Sequence, residues 1–384
     1  MKKIGILTFQ KLENYGASLQ CHALWQFLKN SGYDVEVIDL LCRHHRGFER
    51  TEGLVQYMPQ KGFIQKVYYD LRVNLVSYVR GIFFQREKEI RTRNFQKFWD
   101  IATYSREYPS TKRIKESPPD YDVYISGSDQ VWNPNLKYDW ESYFFTFVSS
   151  GKKKIAYSSS FGLAELPEYF MTYVKKYLSE FSAISVRERT GQSIIQNALG
   201  GRVPRVVDPS FLLCRKEWAE FLVESPESDD YILCVWYLYH WENHLRICAD
   251  LVKKYHKKVV LIVPSGLHFY SSKLFTVVQT AGPAELIGYI SKAKMVLTDS
   301  FHVTVFSIIF GIQFYSFVSD TKLSDRLETM LTDLHLEERL LRISNLSNMQ
   351  KIVEPDRINY DEVQNTLDAL CNASKSFLLD AIEK

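Results

Sequence analysis

The chain has 384 residues, 46% of them hydrophobic and 24% charged, with a formal net charge of +3 at pH 7. That length exceeds what one hydrophobic core usually serves and points to two domains, while the composition excludes a disordered chain. The near-balanced charge gives no reason to expect nucleic acid as a partner, and no apolar run approaches the ~20 residues of a membrane span.

Residues 3–9 read as a buried strand, 10–16 as a loop, 17–30 as a helix with apolar residues at helical spacing, and 35–39 as the next strand. This βαβ unit predicts a parallel sheet. Strand signals fade between residues 43 and 115, where residues 61–115 carry 13 Lys/Arg against 5 Asp/Glu. We read that stretch as inserted helices. It is either a solvated helical face or a basic and aromatic face, with Phe83, Phe84, Phe95 and Trp99, suited to peripheral contact with the inner membrane surface. Sheet periodicity returns over residues 121–129, 154–162 and 183–188, each apolar and then switching to small or charged residues, with helices over 168–181 and 189–199.

A second strand–helix series occupies residues 205–208, 231–236, 258–263, 295–298 and 313–317, with helices over 242–255 and 284–291. Residues 360–383 form a last helix. The expected organisation is an N-terminal α/β domain over 1–203, a C-terminal α/β domain over 204–357, and a helix over 358–384 packing back on the first domain. Two doubly wound Rossmann-like domains with parallel sheets and a cleft between them resemble the GT-B architecture of many sugar-handling enzymes.

Six widely spaced cysteines form no CxxC pair, which argues against a zinc site or a disulfide framework and for a reduced, cytoplasmic compartment. The apolar stretch at the N-terminus is too short for a signal peptide. There is no Walker A sequence, no GxGxxG and no HExxH, so neither a glycine-rich phosphate loop nor a metal is indicated. Asp120-Tyr121-Asp122 has the DxD spelling of metal-dependent glycosyltransferases, but after Pro118-Pro119 it serves to open a strand.

The candidate chemistry lies at strand ends, where parallel sheets bind ligands. Asn14-Tyr15-Gly16 follows the first strand. In Ser126-Gly127-Ser128-Asp129-Gln130-Val131-Trp132-Asn133, Asp129 can accept a hydroxyl proton, Gln130 and Asn133 can bond sugar hydroxyls, and Trp132 can pack on a sugar ring. The same stretch also reads as an Asx-capped turn with Trp132 in the core. Arg187, ending an apolar strand, either pairs with a carboxylate such as Glu188 or binds an anion. Arg326 falls in a polar loop. Thr298-Asp299-Ser300-Phe301-His302-Val303-Thr304 ends a strand and opens a helix, where His302 either caps its helix or meets an anion and donates a proton.

These pieces, in order from residue 4 to about 330 and together with Ala156-Tyr157-Ser158-Ser159-Ser160-Phe161-Gly162 and Val207-Asp208-Pro209, resemble the polysaccharide pyruvyl transferase family. The resemblance implies transfer of a pyruvyl group from phosphoenolpyruvate to two hydroxyls of a sugar in a cell-surface polysaccharide precursor, giving a cyclic ketal. No cofactor or metal is expected, and the partners would be phosphoenolpyruvate and a glycan or lipid-linked oligosaccharide acceptor. It implies donor binding by Arg187 and His302. Some relatives place Arg-Leu where this chain has Ser300-Phe301, so Arg326 is the candidate replacement cation.

The site expected from the residues and the resemblance together has His302 and Asp129 as acid and base. Arg187, Arg326, Ser300 and Thr304 would hold the donor, and Asn14, Tyr15, Gly16, Gln130, Trp132 and Asn133 the acceptor. Arg187, Arg326 and His302 are expected to meet at one small dianion. The alternative functions are a nucleotide-sugar glycosyltransferase of GT-B type and a non-catalytic glycan-binding relative.

Overall fold

The apolar runs become strands and the segments of helical period become helices in the computed structural model, which describes residues 1–42, 48, 83–136, 140–227, 230–237, 241–264, 272–318, 325–342 and 357–384. The described strands β1 (Lys3–Leu7), β2 (Asp34–Val37), β3 (Val123–Ser126), β4 (Lys153–Ser159) and β5 (Ala183–Val186) form one sheet in the order β2-β1-β3-β4-β5. A second sheet holds β6 (Tyr231–Val235), β7 (Lys258–Ile262), β8 (Thr276–Val278), β9 (Met295–Thr298), β10 (Gln313–Val318) and β11 (Leu340–Arg342), in the order β11-β10-β9-β6-β7-β8. Each pairing is parallel. Every residue of β3 and β6 is buried, as strands covered on both faces require. The chain therefore has two doubly wound α/β domains.

The helices described around the first sheet are α1 (Tyr15–Asn30), α2 (Gln85–Trp99), α3 (Thr111–Glu116), α4 (Glu168–Leu178) and α5 (Arg189–Leu199). Those that follow are α6 (Arg215–Ala219), α7 (Trp241–Tyr255), α8 (Pro283–Lys292), α9 (Phe301–Phe310), α10 (Asp325–Asp333) and α11 (Tyr360–Glu383). Strand order reverses between β1 and β3 in one sheet and between β6 and β9 in the other. At such a switch point the loops beyond the strands diverge and leave a crevice. Here the two crevices face each other.

One apolar core runs through both domains. It joins Tyr15, Leu19 and Ala23 of α1 and Phe95, Phe98 and Trp99 of α2 to Trp218, Leu286, Phe301, Phe306 and Phe310. α11 ties the domains together as well. Its Val363, Leu367 and Cys371 join that shared core, while Leu378 and Ile382 pack with Ile4, Ile6 and Trp25 under the first sheet. Lys2 and Lys153 each donate an Nζ–H to the Ile382 carbonyl, at 2.9 and 3.1 Å.

Several sequence expectations change. Residues 205–208 do not open the second sheet; Arg205 bridges to Val186 at the edge of the first. Arg326 sits in the first turn of α10 rather than in a loop. The short edge strands β8 and β11 have no counterpart among the expected strands, since three residues carry too little periodicity. Within the expected insertion, α2 and α3 are helices, but Phe95 and Trp99 are buried in the shared core rather than displayed on a surface. Residues 43–47 and 49–82 of that insertion lie outside the described residues.

Candidate active site

The facing switch points enclose a cleft of about 330 Å³. Phe9, Asn14 and Gly16 enter it after β1, Asp129 and Gln130 after β3, Tyr237 after β6, and Asp299, Ser300, Phe301 and His302 after β9. Arg326 closes one side. Two helices begin at this cleft. Asn14 caps α1 by accepting the Ala17 N–H at 3.1 Å, and Ser300 caps α9 by accepting the Val303 N–H at 3.4 Å. Both helix dipoles thus present their positive ends to one cavity, which favours an anion there.

His302, on the first turn of α9, packs directly over Gly16. A Cβ on Gly16 would lie 2.1 Å from His302 Nδ1, so only glycine permits this approach. On the other side, His302 Nε2 stands 3.5 Å from Asp208 Oδ2. The same Asp208 oxygen accepts from Arg187 Nη1 at 2.7 Å and from Ser128 Oγ at 3.2 Å, while Oδ1 accepts the Ser210 N–H at 3.0 Å. Burial works against the Asp208 charge. His302, Arg187 and the Ser210 N–H outweigh it and hold the carboxyl well below its ordinary range. Asp208 therefore joins the histidine to the arginine. Neither composition nor periodicity marks it, and its one signal in the sequence is the Val207-Asp208-Pro209 piece.

Arg187 is surrounded by carboxylates: beyond Asp208, its Nε lies 3.6 Å from Glu188 Oε2 and its Nη2 3.7 Å from Asp129 Oδ1. Burial pushes the Glu188 carboxyl above its ordinary range, although Arg187 and a 2.5 Å hydrogen bond from Ser160 Oγ pull the other way. Asp129 has a left-handed backbone, φ 73°, unusual for a non-glycine residue and a form of strain often found at functional sites. It accepts the Gln130 N–H at 2.9 Å and lies 3.9 Å from Arg326 Nη1.

The expected meeting of three cations in one cavity needs correction. His302 and Arg326 line the cleft, but Arg187 lines a second, inner chamber of about 100 Å³, behind Phe301. Arg326 and Phe301 belong to both walls. Arg187 is part of the cluster through Asp208 and Asp129, whose carboxylates draw its guanidinium back from the open cleft.

Four other expected contacts fall away. Trp132 is fully buried, stacked on Phe144 with centroids 5.6 Å apart, and offers no face to a sugar. Tyr15 is buried at the domain seam, where its hydroxyl donates to the Ala281 carbonyl at 2.9 Å. Thr304 is buried, bonded to the Ser300 carbonyl at 2.9 Å and the Ser316 hydroxyl at 2.6 Å. Asn133 is buried too and donates to Gln130 Oε1 at 2.7 Å, so it orients Gln130 rather than a ligand. These are apolar bodies or short polar groups whose orientation the strand-end pattern leaves open. Asn14, Gly16, Asp129, Gln130, Ser300, His302 and Arg326 do line the cleft. Tyr237 and Asp299 line it as well, Asp299 Oδ1 accepting the Tyr237 N–H at 2.7 Å.

Residues 14–321 match the family described as polysaccharide pyruvyl transferase. The chain belongs to the polysaccharide pyruvyl transferase family. This makes it a transferase by family, with a polysaccharide acceptor implied. No curated protein matches it. Among solved structures it resembles UDP-N-acetylglucosamine 2-epimerase from Rickettsia bellii, with a TM-score of 0.54 and 9% identity over 100% of this chain and 97% of that one. It also resembles UDP-GlcNAc 2-epimerase from Methanocaldococcus jannaschii, with a TM-score of 0.51 and 11% identity over 97% and 100%. UGT89C1 from Arabidopsis thaliana, complexed with UDP-L-rhamnose, gives 0.53 and 12% over 100% and 98%. At such identities the likeness is one of fold. It places this member of the family in the GT-B architecture.

Among the described residues no group of three His, Cys, Asp or Glu side chains is arranged to hold a metal ion, and no helix is long and apolar enough to cross a membrane.

Proposed function

We propose that this chain transfers the pyruvyl group of phosphoenolpyruvate to two hydroxyls of a sugar in a polysaccharide precursor, closing a cyclic ketal. The observation that carries the reading is the placement of His302 and Arg326 on one cleft that also receives the N-termini of α1 and α9, in a chain of this family. A phosphate between two helix N-termini and a guanidinium is well matched electrostatically.

In this reading His302 protonates the methylene carbon of the donor, which makes C2 electrophilic. Asp129 accepts the proton of the first sugar hydroxyl as its oxygen bonds to C2. The C2–O bond to phosphate then breaks, with Arg326 and the helix N-termini taking up the leaving charge. The second hydroxyl attacks C2 and closes the ring. Of the two protons lost by the hydroxyls, one balances the new methyl group and the other leaves with phosphate. Arg187 acts through Asp208 and Asp129, holding the acid and the base in register. Gln130 and Asn14 lie on the first-domain wall, where an acceptor would sit.

Incubation with phosphoenolpyruvate and a panel of lipid-linked or synthetic galactosides, glucosides and mannosides tests the reading. The expected result is phosphate release together with one pyruvyl ketal added to an acceptor by mass. Untouched phosphoenolpyruvate with consumption of a nucleotide sugar would instead make the chain a glycosyltransferase.

A further inference from the structure

Phe301 stands where two cavities meet. Its ring forms part of the wall of the cleft, with His302, and part of the wall of the inner chamber, with Arg187. The ring lies against both guanidinium groups, with Cζ of Arg187 at 4.6 Å and Cζ of Arg326 at 5.9 Å from its centroid. Cation–π attraction on this scale holds an aromatic ring in place without a covalent or hydrogen-bonded latch.

Behind the ring, the Arg187 side chain is only 3% exposed, and its Nε and Nη2 make no hydrogen bond among the described residues. They face Glu188 Oε2 and Asp129 Oδ1 at 3.6 and 3.7 Å, ion pairs too long to be hydrogen bonds, so a guanidinium on the wall of a cavity retains N–H capacity for a closer acceptor oxygen. The rest of that chamber is mostly apolar, built from Val206, Phe211, Met330, Leu334 and Leu367. Of its other two cations, Arg326 is shared with the cleft and Arg205 is held by both oxygens of Asp333, at 2.7 and 3.1 Å. The chamber therefore suits a small anionic group attached to a short apolar body.

We infer that Phe301 is the specificity-determining partition of the donor site: its ring separates the cleft from Arg187, and turning it aside joins cleft and chamber into one pocket reached by His302, Arg326 and Arg187. The inference rests on the donor reading above and adds to it a residue that sets which donors fit. With the ring in place, a donor is held through its phosphate alone. With the ring displaced, its carboxylate reaches Arg187 and its carbon tail enters the apolar chamber. The size of residue 301 then sets the tail length that the enzyme accepts.

Titration calorimetry with phosphoenolpyruvate alone, without acceptor, tests this independently of turnover. Phe301→Ala should tighten binding by about tenfold, the effect of relieving a state populated one part in ten. Phe301→Leu, the milder change, should tighten it less and guards against a misfolded alanine variant. The gain should vanish when Arg187→Ala is added to Phe301→Ala. Phosphoenol-2-oxobutyrate, one carbon longer, should compete on Phe301→Ala and not on the parent protein. A gain that survives loss of Arg187, or equal affinities in the parent and both Phe301 variants, overturns the inference while leaving the donor reading intact. Phosphoenolpyruvate that binds neither parent nor variants overturns the donor reading, and the partition with it.

Discussion

Gly16 of α1 and His302 of α9 meet face to face across the two domains, so closely that a Cβ on Gly16 would fall 2.1 Å from Nδ1 of the imidazole. Neither can move alone. His302 is backed by Asp208, and α1 is fixed in the shared core. Gly16→Ala is therefore expected to displace the imidazole and to lower kcat by more than tenfold, with about 1–3 kcal/mol lost in stability from overpacking. Phosphate-release kinetics and a denaturant midpoint measure the two effects. Full activity in Gly16→Ala would mean that the imidazole position does not matter for the reaction.

Asp208 is buried, charged and shared by Arg187 and His302, so removing its charge leaves a buried guanidinium short of a partner. Asp208→Asn should cost about 3–5 kcal/mol, as for other broken buried pairs. The pH dependence has a definite sign. A carboxyl held below its ordinary value of 3.8 stabilises the fold above that value and loses the contribution as pH falls further. Urea midpoints should fall more steeply below about pH 4 in the parent than in Asp208→Asn, in line with linkage. Parallel curves would remove Asp208 from the ionised cluster.

Arg326 and Arg187 should separate in their effects. Arg326→Ala removes a cation from the cleft wall and should weaken phosphoenolpyruvate binding by roughly ten- to a hundredfold, from ~1.5–3 kcal/mol for a charged hydrogen bond. Its effect on stability should be small, since the side chain is 31% exposed. Arg187→Ala leaves Asp208 and Glu188 buried without their guanidinium and should be the more destabilising of the two, by thermal unfolding. Equal destabilisation by both would contradict this division of roles.

His22 offers a pH dependence unrelated to the site. It is buried among Trp25, Phe98, Trp218 and Phe221, and neither ring nitrogen has a hydrogen-bond partner among the described residues. Burial, with a smaller push from Lys29, brings its pKa down from 6.5 to about 3. The unfolded chain takes up a proton at 6.5 while the folded chain refuses it, so stability should decline as pH falls from 6.5 toward 3. The slope is at most about 1.4 kcal/mol per pH unit. His22→Leu should flatten that part of the profile in equilibrium unfolding. An unchanged slope would mean that the histidine is protonated in the fold.

The strand–helix alternation, the parallel sheets and the strand-end position of His302, Asp129 and Arg187 were legible in the sequence, because buried parallel strands are continuous apolar runs that stop where the crevice begins. The ordered motifs also carried the family. What the linear pattern left open was orientation. Trp132, Tyr15 and Thr304 stand in the same motifs as residues that line the cleft, yet each turns inward, since an aromatic ring or a short hydroxyl satisfied by a neighbouring strand or helix gains more from burial than from exposure. Only the folded chain brings Asp208 between Arg187 and His302, which lie 115 positions apart, and puts the ring of Phe301 between two arginines. Such contacts depend on how two sheets face each other, and that depends on packing between segments distant in sequence, which local periodicity does not encode.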